Sequence, residues 1–323
     1  MANSVSVAVI GAGHMGKNHA RCLASMKDVH LVAVVDSDEE SRHSVATAFE
    51  CSAVASIDKL PQIDAAVVAV PSALHDSIGC ALMERGIHCL IEKPLALDAE
   101  GARRLIDTSN QTNKILQVGH VERFNPAVRQ LQELLDGEQI LVANARRMSA
   151  FSSRVHDIDV VMDLMVHDLD VMLFLMGEDV EEVVARGIDG PHGSDHVTAL
   201  VGFQGGRMAS LTASRITQNQ IRRLEVTTED RFFTVDYANQ ELLIFRQGRI
   251  GGVGDQKFDG RYVLDVETRR VFVRRAEPLV AELEHFIRAV RGEHPVEVDG
   301  QRALAALELV WSIQGNLAES GQE

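Results

Sequence analysis

The stretch "VAVIGAGHMGKNHA", residues 7–20, decides the reading of the fold. An apolar run leads straight into Gly11, Gly13 and Gly16, spaced G-x-G-x-x-G, and a helix-compatible segment opens at His14 and Met15. The next apolar run closes on Asp36, the distance at which a dinucleotide-binding strand–helix–strand unit needs an acidic residue. Each element has a physical task. Gly11 permits the tight turn, Gly13 lets a pyrophosphate approach the backbone, and Gly16 lets the helix pack on the strand. The helix N-terminus offers free N–H groups and a positive dipole end to phosphates. Asp36 would accept hydrogen bonds from ribose hydroxyls. It would also repel a 2′-phosphate, and only "SDEE" follows it, so NAD is expected over NADP.

Working outward, the first third alternates short apolar runs with helical stretches. "VSVAVI", "HLVAVVD", "DAAVVAV", "IHCLIEKP" and "KILQVGH" read as strands. Apolar on both faces, such runs suit a parallel sheet covered by helices on either side. After about residue 121 the rhythm changes. "NPAVRQLQELLDG" and "DIDVVMDLMVHDLDVMLFLMG" look helical. Strands then follow one another near "EEVVARGI", "HVTALVGF", "RMASLTASR", "RRLEVTTED" and "RFFTVDY", and "FQGGR" is a hairpin signature. Two helices close the chain, "EPLVAELEHFIRAVRG" and "GQRALAALELVWSIQGNLAES". The expected class is α/β: a dinucleotide-binding domain over residues 1–121, and a second domain over 122–323 built on a largely antiparallel sheet with helices on one face.

Composition narrows the function classes. The 323 residues carry a formal net charge of −15, which argues against a general affinity for nucleic acid or an anionic membrane. No apolar run approaches the length of a membrane span, and "MANSV" has no basic signal-like region. The four cysteines, Cys22, Cys51, Cys80 and Cys89, form no CxxC pair and read as reduced, buried small residues of a cytoplasmic protein.

Two further stretches carry chemistry. In "IEKPLA", Lys93 ends a strand at the carboxyl edge of the sheet, where ligands bind in such folds. Taken alone, that lysine is equally compatible with a plain surface residue before a proline. In "MDLMVHDLD", Asp163 and His167 stand four apart on an expected helix and so would share a face. Histidine titrates in the range a general base needs. His167, Asp168 and Asp170, with His156 as a further candidate, do not have ligand-like spacing, so no metal is expected.

These stretches occur together in one family. The chain resembles the glucose–fructose oxidoreductase/inositol dehydrogenase (GFO/IDH/MocA) family through "GAGHMGKNHA", "VPSALH", "EKPLAL", "VGHVERFNPAV" and the D-x-x-x-H of Asp163 and His167. The resemblance implies an N-terminal Rossmann domain and a C-terminal α/β domain on a large open sheet, through which such proteins form homodimers or homotetramers. It implies that Lys93 contacts nicotinamide and substrate, that His167 is the acid/base, and that Asp163 positions the substrate. Val70, Pro71, Ser72 and His75 would lie along the cofactor, and Glu92 beside the nicotinamide ribose.

"GHVERFNPAV" and "SRITQNQIRRLEVTTEDR" resemble members acting on nucleotide-linked amino sugars. The expected reaction is therefore oxidation of a sugar hydroxyl to a ketone, at C3 of a UDP-linked N-acetylhexosamine such as UDP-N-acetylglucosamine. Arg123 and Asn125 would reach the substrate, and Arg215, Arg222 or Arg223 would meet its pyrophosphate. A free polyol dehydrogenase, as for inositol, and a non-catalytic NAD-sensing protein are the alternatives.

Overall fold

Through residue 119 strands and helices alternate, except that no α-helix intervenes between the strands Ser52–Val54 and Ala65–Val68. The order is β1 (Val5–Ile10), α1 (His14–Ala24), β2 (Val29–Val35), α2 (Glu39–Ala48), β3 (Ser52–Val54), β4 (Ala65–Val68), α3 (His75–Glu84), β5 (His88–Glu92), α4 (Ala99–Thr112) and β6 (Leu116–Gly119). Asp38 and Asp98 cap α2 and α4, accepting the N–H of Ser41 at 2.8 Å and of Gly101 at 2.7 Å. There follow α5 (Pro126–Leu134), β7 (Val142–Met148), α6 (Val166–Met176), the strands β8 (Val180–Gly190), β9 (Gly193–Phe203), β10 (Arg207–Ser214), β11 (Ile221–Thr227), β12 (Arg231–Asp236), β13 (Glu241–Gln247) and β14 (Val266–Val271), then α7 (Pro278–Val290) and α8 (Gly300–Ser320). The computed structural model describes residues 4–150, 159–190, 193–247 and 266–320. His156 lies outside them.

The chain packs as two units. The first comprises Met1–Phe124 and Ala276–Glu308, the second Asn125–Arg275 and Leu309–Glu323. The expected division put all of 122–323 in one domain. Instead α7 returns to the first unit, where Leu279, Leu283, Phe286 and Ile287 join a core with Val7, Val9, Leu23, Val67 and Leu90.

In the first unit six parallel strands run β3-β2-β1-β4-β5-β6. Strand order reverses between β1 and β4, so the chain leaves these two strands in opposite directions across the sheet. That is the switch point at which α/β sheets bind ligands, outside the strands' carboxyl ends. Gly11, Asp36, Val70 and Lys93 all fall at that edge.

In the second unit eight strands run β14-β13-β12-β11-β7-β10-β9-β8. Every pairing is antiparallel except β7 with β10. The expected hairpin is present: Phe203 pairs with Arg207 across a turn in which Gly205 and Gly206 have φ of +80° and +73°. One face buries Ala199, Val201, Leu211, Leu224 and Phe233, with α6 against β7 and β10 and α5 against β12 and β13. On the opposite face of the β8–β10 region, Val184, Ile188, Leu200 and Met208 are exposed. Among the described residues no helix is long and apolar enough to cross a membrane, and no three His, Cys, Asp or Glu are grouped to hold a metal.

Candidate active site

The glycine turn of the first unit is built by close approach. Gly11 has φ of +103°, and a Cβ there would overlap the Ala69 carbonyl. A Cβ on Gly16 would overlap the Gly11 carbonyl oxygen, so α1 can pack here only on a glycine. Gly13 differs, since a Cβ there meets nothing within 4 Å. No structural neighbour forbids a side chain at Gly13, which fits a glycine kept for close approach by a ligand. Gly13 is also the N-cap of α1 and provides no side-chain acceptor for the first-turn N–H groups. Exposed His14 and half-buried Met15 form that first turn.

Asp36 is fixed to the same turn. Its Oδ2 accepts the Ala12 N–H at 2.6 Å, and Oδ1 accepts the Asp38 N–H at 2.8 Å. Each carboxylate oxygen keeps a further acceptor site, so a ribose diol fits without displacing either bond. Open glycine backbone, an uncapped helix N-terminus and an oriented carboxylate together suit a dinucleotide.

The loop after β4 carries Val70, Pro71 and Ser72 into a short helical turn, Ser72–Leu74, that leads into α3. His75 is buried, with Nδ1 2.8 Å from the Pro94 carbonyl and Nε2 3.0 Å from that of Val70. Burial lowers its pKa, against the opposing pull of those carbonyls. It therefore braces the loop expected to lie along the cofactor against the lysine turn.

Lys93 leaves β5 half-buried, and its bond to Pro94 is cis. Glu92 precedes it and is buried. Its Oε1 is 2.7 Å from Nε2 of His19 on α1, and its Oε2 accepts the Lys93 N–H at 3.2 Å. Burial works against ionising this carboxyl, but the His19 bond and the neighbouring Lys93 charge outweigh it and hold the pKa below the ordinary value. Gly119 leaves room for this group; a Cβ there would come within 3.2 Å of Oε2.

In the second unit Asp163 and His167 stand on one continuous helical segment, though not on a regular α-helix. Val161–Met165 is a single π-helical turn, and α6 begins only at Val166. Positions four apart still fall on one side of such a turn, and π turns recur at functional sites. Asp159 caps the segment by accepting the Val161 and Met162 N–H groups at 3.0 and 2.9 Å, and Gln314 of α8 donates to its other oxygen at 2.8 Å. Next to His167, Asp168 is buried in a two-pronged ion pair with Arg147 of β7, 2.9 Å from Nε and 3.0 Å from the terminal nitrogen. The Arg147 guanidinium also lies over the Tyr237 ring, 5.2 Å from its centre. Sequence reasoning did not mark Arg147, because β7 itself was not foreseen.

The arginines and Asn125 differ in their surroundings. Asn125 is buried and caps α5: its Oδ1 accepts the Ala127 N–H at 3.1 Å and its Nδ2 donates to the Tyr237 carbonyl at 3.1 Å. Each end of its amide thus makes a contact within the second unit. Arg123, expected with Asn125 at the substrate, is buried at 4% exposure in the turn after β6. Arg215 is buried against Asp195, with Nε 2.7 Å from the carboxylate. On β11, Arg222 shares the helix-covered face with Leu224 and Val226, whereas Arg223 points to the opposite face.

A parallel sheet with a glycine turn at its switch point and an acidic residue closing the second strand defines a dinucleotide-binding oxidoreductase domain. Residues 5–120 match the model of the oxidoreductase family with an NAD-binding Rossmann fold, and residues 143–233 match the GFO/IDH/MocA C-terminal domain. The chain belongs to this GFO/IDH/MocA family of oxidoreductases, whose members use NAD(P). It is 35% identical to UDP-N-acetylglucosamine 3-dehydrogenase of Acidithiobacillus ferrooxidans, over 92% of this chain and 93% of that protein. A solved structure of the enzyme of that name from A. ferrooxidans superposes with a TM-score of 0.89 at 32% identity, covering 97% of each chain. Inositol 2-dehydrogenase of Rhizobium meliloti is 26% identical over 99% of this chain and 98% of its own.

Proposed function

We propose that this oxidoreductase uses NAD to oxidise the C3 hydroxyl of UDP-N-acetylglucosamine to a ketone. The observation that carries the substrate reading is the likeness to a UDP-N-acetylglucosamine 3-dehydrogenase, which runs through both units rather than the Rossmann half alone. Gly11, Gly13, His14, Met15 and Gly16 hold the cofactor phosphates, and Asp36 takes the adenosine ribose and disfavours a 2′-phosphate. Val70, Pro71 and Ser72 line the cofactor. Bound NAD supplies the hydride acceptor.

His167 accepts the proton of the reacting hydroxyl. Lys93 holds the same oxygen and stabilises the charge that develops on it, work worth several kcal/mol for a positioned cation. Asp163 orients the sugar. Glu92, whose carboxylate also serves the lysine turn, lies beside the nicotinamide ribose. Arg222, on the helix-covered face of β11, is the cation we assign to the substrate diphosphate. The exposed apolar residues on the open face of the second sheet support a homodimer or homotetramer.

Calorimetry with UDP alone tests the nucleotide-sugar reading. A nucleotide-sugar enzyme binds UDP as a handle, whereas a dehydrogenase of free inositol has no use for it; absence of UDP binding in the presence of NADH overturns this substrate class. Single-turnover formation of NADH separates an enzyme from an NAD-sensing protein.

A further inference from the structure

His19 has no part in the roles assigned above, yet it occupies a telling place. It is fully buried on α1, the helix whose N-terminus abuts the glycine turn. Its Nε2 meets Glu92 Oε1 at 2.7 Å. Its Nδ1 is buried and makes no hydrogen bond among the described residues, so Glu92 is the ring's polar attachment. The second oxygen of Glu92 holds the backbone N–H of Lys93. A continuous relay of polar contacts thus runs from α1 to the lysine turn: imidazole, carboxylate, main-chain amide.

The strand end does not need this arrangement for its own stability. A buried carboxylate costs free energy unless donors surround it, and an apolar residue of similar size packs as well or better. An acid kept here, with a histidine buried to meet it and a glycine at position 119 leaving space, fits a device that fixes geometry.

We propose that His19 is a positioning residue for Lys93, acting through the Glu92 carboxylate, so that the helix receiving the cofactor phosphates also sets the backbone of the lysine turn. The proposal rests on the reading of Lys93 as a catalytic residue. His19 itself touches neither cofactor nor substrate.

The test compares His19→Leu, His19→Gln and Glu92→Leu in the full-length protein. Glutamine at 19 offers a donor near the Nε2 position; leucine offers none. One readout is amide hydrogen exchange at Lys93 in the NADH complex, which depends on no substrate. His19→Leu is expected to speed that exchange by roughly tenfold or more, as loss of a fixed acceptor geometry implies, while His19→Gln stays close to wild type. The second readout is single-turnover hydride transfer, expected to fall roughly 10- to 100-fold in His19→Leu, with rescue in His19→Gln and little change in NAD affinity. Lys93 exchange at the wild-type rate in folded His19→Leu overturns the proposal. If His19→Leu does not fold, unchanged Lys93 exchange in Glu92→Leu, which has no oxygen to accept the Lys93 N–H, overturns it. Failure of the wild-type protein to oxidise UDP-N-acetylglucosamine would count against the substrate reading alone, because the exchange measurement still decides the role of His19.

Discussion

Asp36 Oδ2 accepts the backbone N–H of Ala12 at 2.6 Å, tying the end of β2 to the middle of the glycine turn after β1. The residue proposed to select the cofactor thus also shapes the turn that receives its phosphates. Asp36→Ala is expected to raise the Kd for NAD roughly 10- to 100-fold, the scale of losing charge-assisted hydrogen bonds, and to improve relative use of NADP. Calorimetry with both nucleotides checks it. An unchanged NAD affinity would contradict the assignment.

The three motif glycines are expected to respond differently. Gly16→Ala places a Cβ on the Gly11 carbonyl oxygen and should destabilise the first unit by about 3 kcal/mol or more, the upper range of overpacking. Gly13→Ala meets no atom of the described residues, so it should cost only the roughly 1 kcal/mol of a poorer N-cap, far less than Gly16→Ala, yet bind NAD roughly tenfold or more weakly, because its methyl occupies the space of close phosphate approach. Thermal melts beside NAD titrations separate the two. Normal NAD affinity in Gly13→Ala would place the phosphates elsewhere.

Arg147 and Asp168 form a buried pair beside His167. Arg147→Met strands the Asp168 charge and should cost about 3–5 kcal/mol, whereas Arg147→Met combined with Asp168→Leu should recover much of that loss. Urea denaturation of the single and double variants gives the comparison. A loss under about 1 kcal/mol in the single variant would mean that the pair does not anchor α6.

His75 contributes a pH dependence with a definite sign. Burial lowers its folded pKa below the unfolded value of about 6.5, so the unfolded chain takes up the proton first as pH falls. Its contribution to stability is complete above that value and declines as pH drops from about 6.5 toward the lowered folded pKa. His88, lowered by burial and by Lys114, acts in the same window. Melting temperatures across this range should fall less steeply in His75→Gln than in wild type. Parallel curves would show that His75 does not carry the effect.

Much of this was legible in the sequence, for reasons that differ by element. The parallel strands announced themselves because both faces are buried, as in Val7–Val9 and Ala65–Val68, leaving no polar alternation to confuse them. β7 was not legible: its inward residues are Ala143, Ala145 and Arg147, so its covered face is small or charged and gives no apolar period. The short β3 and the exposed edge strand β14, "VETRRV", lack an apolar face as well. The β13 run "ELLIFRQ" carries four consecutive apolar residues and was a strand signal passed over. Nothing local distinguishes which unit α7 packs on, since an amphipathic stripe specifies burial but not its partner. The same limit hid the Glu92 contact of His19 and the Tyr237 contact of Asn125. Their side-chain partners, Glu92 and Tyr237, are 73 and 112 residues away.

The central claim, NAD-dependent oxidation of a nucleotide-linked sugar by Lys93 and His167, is tested most directly by kcat/KM for three compounds at equal concentration. UDP-N-acetylglucosamine, free N-acetylglucosamine and myo-inositol are each supplied with NAD, and the ketone product is drawn off by a coupled aminotransferase. NADH should form with the UDP-sugar at a kcat/KM roughly 100-fold or more above either free compound, since the nucleotide acts as a remote binding handle. Lys93→Met should lower turnover by roughly two to four orders of magnitude while NAD binding persists, and His167→Asn should remove the acidic limb of the pH–rate profile. A free compound that equals or exceeds the UDP-sugar, or a Lys93→Met protein with wild-type turnover, would contradict the account.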